Sequence, residues 1–143
     1  MNPKHNRHAL WKRRIDRFLQ RGLSDTLDVA IEPSLYLSDL TSLEPDILIH
    51  AGAILPEDAR GPDVLLLIEI SDSTLAKDLD PKAALYARQG VRNYWVLDAD
   101  ARRALILTRP GPDGFGRIEE IGRAGVMVLP FERALTLRLE GLG

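Results

Sequence analysis

Cysteine is absent from this 143-residue chain. Its absence excludes disulfide staples, thiolate zinc sites and cysteine nucleophiles together. Long apolar runs are missing too: none approaches the roughly 20 residues needed to cross a bilayer, so no membrane partner is expected. The opening MNPKHNRHALWKRR is polar and basic, with no hydrophobic signal region, and a cytoplasmic location is the expectation. Histidine is scarce. His5, His8 and His50 match no zinc spacing, and no histidine follows residue 50 to act as a base for Ser71 or Ser73. Those hydroxyls, with Thr74, read as turn and cap chemistry. A large charge excess of either sign is lacking as well, at a net −2. The charge is nevertheless uneven, because residues 1–21 hold Lys4, Arg7, Lys12, Arg13, Arg14, Arg17 and Arg21 against Asp16 alone. Such a cluster forms either a phosphate-facing patch or a solvated helix face.

What remains is ordinary globular material, 45% hydrophobic and 28% charged, of a size that suits one domain. Residues 5–21 predict a helix, with His8, Trp11, Ile15 and Phe18 on one stripe and Gly22 as its stop. Asp28–Ile31 and Ser34–Ser38 read as strand fragments or one bent edge strand around Pro33. Asp46–Ile49 predicts a short strand. Val64–Ile70 is the clearest strand, aliphatic except for Glu69, and its unbroken apolarity places it centrally with both faces buried. Asp80-Pro81 predicts a helix start, with Asp80 as N-cap, and Gly90 its end. Strands follow at Asn93–Leu97 and Ala104–Thr108, with a weaker one near Arg117–Ile121 beyond the turn GPDGFG. Short apolar segments at Val126–Leu129 and Leu135–Leu139 close the chain. The order predicts a mixed α/β or α+β fold, a central sheet flanked by helices. The crossover helix makes the strands on either side of it parallel neighbours.

The chemistry concentrates between residues 45 and 98. If Asp46–Ile49 and Val64–Ile70 pair as a hairpin, Asp46 and Glu69 fall at the same end of the sheet. Two close carboxylates repel unless a cation neutralises them, and hard oxygen ligands suit Mg²⁺ or Mn²⁺. Lys82 on the following helix is a compact charge able to orient a water or neutralise a phosphate. Tyr86 and Gln89 continue its face. These residues are the minimum equipment of a metal-dependent phosphodiester hydrolase. Duller roles stay open: Asp46 as a strand cap, Glu69 paired with a surface cation, Lys82 as a solvated helix residue, and Tyr86, Tyr94 and Trp95 as core or interface aromatics.

Spaced matches over most of the chain favour the sharper reading. Pro45-Asp46, Glu69-Ile70-Ser71, Ser73-Thr74, Asp78, Lys82, Tyr86, Gly90-Val91, Tyr94-Trp95 and Asp98 occur in that order. The chain thereby resembles the Uma-two family of restriction endonucleases, within the PD-(D/E)xK nuclease superfamily. The opening Pro3-Lys4-His5-Asn6 resembles the entry to that family's first core helix. The resemblance implies a restriction-endonuclease-like fold over 1–143 and Mg²⁺- or Mn²⁺-dependent hydrolysis of DNA. It implies Asp46, Glu69 and the Ile70 carbonyl as metal ligands. Ser71 stands where the superfamily usually has its lysine, so that role passes to Lys82. His5, Ser71 and Tyr86 would flank the site, and Arg13, Arg14 and Arg17 would meet DNA. Family members generally carry an acidic N-terminal extension, which this sequence lacks before its helix. An inactive nuclease-fold module acting in DNA binding or dimerisation is therefore the alternative, and an RNA- or nucleotide-directed phosphodiesterase shares the same chemistry. A homodimer is a further expectation, from the exposed sheet edges.

Overall fold

A computed structural model describes the backbone of residues 3–71, 75–132 and 135–143, and side chains there except those of residues 3–6, 75–78 and 80. The chain opens with helix α1 (Pro3–Gly22), whose stripe Trp11, Ile15 and Leu19 is buried. Strand β1 (Leu27–Ile31) follows, then β2 (Leu35–Ser38), β3 (Thr41–Leu43) and β4 (Ile47–Ala51). After a connection of short 3-10 turns come β5 (Val64–Ser71), helix α2 (Leu75–Arg88) and β6 (Tyr94–Asp98). The hairpin of β7 (Arg103–Gly111) and β8 (Gly114–Ile121) precedes β9 (Val126–Val128), β10 (Thr136–Arg138) and a final 3-10 turn at Leu139–Leu142.

Among the described residues, six strands form one mixed sheet in the order β1-β4-β5-β6-β7-β8. The expected parallel pair is β5 with β6, and β4 pairs antiparallel with β5. This architecture matches the predicted class. β5 lies centrally and is apolar on both faces because helices cover both. Leu66 and Ile68 enter the core under α1, which the β9–β10 hairpin completes. Leu67 enters the core under α2, completed by Leu35 and Leu37 of β2.

The start of the second helix needs correction. Helix α2 does not start at Asp80 and Pro81; it begins at Leu75, leaving Pro81 inside it. A proline there removes one main-chain bond to residue 77, but the apolar face that α2 buries outweighs that loss. Of the two readings of residues 27–38, separate strands are what forms: β1 edges the large sheet while β2 pairs with β3 in a separate hairpin. Glu32, at φ 51, turns the chain between them. The helix end at Gly90 is as expected. Gly90 has φ 88, its N–H bonds the Ala87 carbonyl, and Val91 N–H reaches back to the Tyr86 carbonyl. The predicted turn roles of Ser73 and Thr74 fall outside the described residues.

Candidate active site

The register of β4 on β5 pairs Ile47 with Ile68. Carried one residue further, it sets Asp46 across from Glu69 at the end of the sheet. Asp46 is tied there, its Oδ2 accepting the Ile70 N–H at 2.8 Å. From α1, Lys12 Nζ stands 3.3 Å from Asp46 Oδ1 and His8 Nε2 stands 3.5 Å from Oδ2. One helical turn separates those two residues, so both point at the same carboxylate. Burial would raise the Asp46 pKa. The His8 contact, the Ile70 N–H and the Lys12 charge outweigh it and hold the carboxyl below its ordinary value of 3.8. Lys12 also pairs with Glu32. Burial works against its charge, yet the Glu32 and Asp46 carboxylates raise its pKa above 10.5.

Glu69 is held from the other layer. Tyr86 donates its hydroxyl to Oε1 at 3.1 Å and Tyr94 donates to Oε2 at 2.5 Å. The two rings meet edge to face, with centroids 5.0 Å apart. Burial, and then the Glu69 charge, raise both tyrosine pKa values far above 10, so both remain hydrogen donors. Lys82 Nζ lies 3.8 Å from Glu69 Oε2. It comes from the second half of α2, not its start, because the helix begins earlier than predicted.

His8, Asp46, Glu69, Lys82 and Tyr94 border one cavity of about 260 Å³. Asp46, Glu69, Ile70, Ser71 and Lys82 line it, as the sequence led one to expect for a site. Tyr86 lies behind Glu69 and is fully buried. The His5 side chain lies outside the described residues. Arg13, Arg14 and Arg17 are placed elsewhere. Arg14 and Arg17 border a hollow against β10 and the C-terminal turn, where Arg14 donates to the Leu142 carbonyl at 2.7 Å. Arg13 borders another beside Ile31.

Four contributors escaped the sequence reading: His8, Lys12, Glu44 and Tyr94. His8 was counted within an apolar stripe and Tyr94 as a core aromatic, yet each contacts a carboxylate. The signals were present. Glu44 precedes Asp46 by two residues, which in extended chain puts both on one side, and it lines the cavity. His50 is a buried core histidine. Its Nδ1 contacts the Ala51 carbonyl at 2.8 Å, and it does not line the cavity. Asp98, buried at the end of β6, accepts the N–H groups of Asp100 and Ala101 and so shapes the turn into β7.

The donor chemistry fits a hard divalent cation. Two carboxylates and a main-chain carbonyl supply oxygen only, and Mg²⁺ commonly binds one or two carboxylates while keeping several waters. No group of three His, Cys, Asp or Glu suited to a metal occurs among the described residues. Ser71 Oγ, buried beside the cavity, has no hydrogen-bond partner among the described residues.

A mixed sheet with a helix on each face, and acids and a lysine gathered at the end of its central strand, defines a restriction-endonuclease-like fold. The chain belongs to the Uma2 family, described as "Putative restriction endonuclease", which it matches over residues 1–140. A similar solved structure is that of a "putative nuclease belonging to DUF820" from Anabaena variabilis ATCC 29413. The two share 16% sequence identity and superpose with a TM-score of 0.76, over 95% of this chain and 79% of that one. No curated protein matches the sequence.

Proposed function

We propose that this protein is a metal-dependent endonuclease that hydrolyses DNA phosphodiester bonds. The observation that carries the reading is the meeting of Asp46, Glu69 and Lys82 around one cavity, from the bend before β4, from β5 and from α2. Asp46, Glu69 and the Ile70 carbonyl would hold Mg²⁺ or Mn²⁺. Such a cation supplies Lewis acidity toward a phosphoryl oxygen and a more acidic bound water. The residues of the chain do the rest. Tyr86 and Tyr94 keep the Glu69 carboxylate oriented by donating to both its oxygens. The Ile70 N–H, Lys12 and His8 do the same for Asp46. Lys82, half exposed at the rim, is free to turn from Glu69 toward an entering phosphate and offset its negative charge. Ser71 Oγ offers one more hydroxyl to a phosphate oxygen or water.

The test is nicking of supercoiled plasmid with Mg²⁺, with Mn²⁺ and with chelator, using wild type, Asp46→Ala, Glu69→Ala and Lys82→Ala. Cation-dependent nicking that both acid variants lose, while keeping native circular dichroism, is expected. A wild type inert on plasmid, single-stranded DNA and RNA under every cation sinks the catalytic reading. Cleavage of RNA alone changes the substrate to RNA.

One observation favours a second reading. Both oxygens of Glu69 and both of Asp46 already have partners within the chain. A nuclease-fold module without catalysis would show the same satisfaction. Calorimetric titration with Mn²⁺ separates the two, because the catalytic reading requires an affinity that Asp46→Asn removes.

A further inference from the structure

β8 is an edge of the six-stranded sheet, and an edge strand presents main-chain donors and acceptors that await a partner. Its length is eight residues, GFGRIEEI, without proline. Residues 116–120 are all exposed, and Ile118 stands 57% open to solvent. The opposite edge, β1, is shorter at five residues. Edge strands commonly carry charge to repel a second strand. The charges on β8 are of both signs, with Arg117 and Glu119 on one face and 4.0 Å apart.

We propose that β8 pairs antiparallel with β8 of a second copy of this chain, about a two-fold axis through Ile118, joining the two sheets into one. The register follows from symmetry. Residues opposite one another in an antiparallel pair share a sheet face, so a two-fold perpendicular to the sheet must place one residue opposite its own copy. With Arg117 on the axis, two arginines oppose each other; with Glu119 or Glu120, two glutamates do. With Ile118 on the axis, Arg117 lies opposite Glu119 of the second copy and Glu119 opposite its Arg117. Glu120 then faces Gly116, so no like charges are opposed. The exposed Ile118 covers its own copy. Opposite charges and apolar pairs facing directly across a ladder are the stabilising kind. This pairing does not depend on the nuclease reading.

Sedimentation velocity of the full chain over a concentration series tests it. A monomer–dimer equilibrium is expected, with Arg117→Glu and Glu119→Arg each weakening self-association by about tenfold or more, since each creates two repulsive pairs by symmetry. The double variant R117E/E119R restores opposite charges in the same register and should recover the dimer. Far-UV circular dichroism of each variant shows whether the fold is kept, which exposed edge substitutions are expected to preserve. A wild type monomeric at every concentration, a dimer unmoved by either single change, or a double variant as weak as the singles would each overturn the proposal.

Discussion

At the scale of single residues, the site is a set of charges that stabilise one another across elements. Asp46 is the clearest case, because its carboxyl is held below 3.8 despite burial. A group whose folded pKa is depressed contributes stability that is fully present above its unfolded value and is lost as pH falls through the folded value. The stability difference between wild type and Asp46→Asn, measured by urea unfolding, should therefore shrink as pH falls below about 4. A difference constant down to pH 2 would show that the contacts to His8, Ile70 and Lys12 do not set its ionisation. Lys82 differs, since it is half exposed and pairs loosely with Glu69 at 3.8 Å. Lys82→Ala should leave the melting temperature almost unchanged while lowering any plasmid-nicking rate by about a hundredfold. Equal losses of stability and rate would make it a structural residue instead.

At the scale of elements, what positions Glu69 and Lys82 is the fit of β5, α2 and the turn before β5. Gly61 shows how close that fit is. A Cβ there would come within 1.8 Å of the Gln89 carbonyl oxygen at the end of α2. Main chain on both sides leaves no flexible side chain to yield. Gly61→Ala should thus destabilise the protein by about 1–3 kcal/mol or more, read as a lower denaturant midpoint at unchanged m-value. Gly122→Ala, where nothing lies within 4 Å of an added Cβ, is the control expected to stay near neutral. The elements were largely legible beforehand. The unbroken aliphatic run of β5 and the Gly90 stop of α2 each announced themselves, because burial on two faces and a left-handed cap demand particular residues. The start of α2 was misread for a physical reason: Asp-Pro is a strong local helix-start signal, and tertiary burial of the helix face overrode it. The hairpin of β2 and β3 was half missed because three-residue strands such as Thr41–Leu43 carry too little periodicity to register.

At the scale of the whole molecule, two layers close on one sheet, and the cavity opens where both helices reach its end. The basic face of α1 is divided by this packing. Lys12 faces Asp46, while Arg14 and Arg17 turn to the hollow beside β10. If that outer arginine face meets DNA, affinity measured by fluorescence anisotropy should fall steeply with salt. Reversing Arg13, Arg14 and Arg17 to Glu should weaken it further and flatten the salt dependence. Unchanged binding in that triple variant would leave the cavity rim as the sole contact surface.

The sequence alone determined the class of fold and the antiparallel pairing that sets Asp46 against Glu69. Those follow from local patterns: two-faced burial, strand register and the spacing of chemical groups along neighbouring elements. Only the tertiary structure decided which other side chains complete the site. His8 and Lys12 arrive from α1, and Tyr94 from the strand beside Glu69, through packing between segments far apart in the chain. An apolar stripe and a core tyrosine look the same in sequence whether or not a polar tip reaches a carboxylate. That final contact depends on how the two layers seat on the sheet.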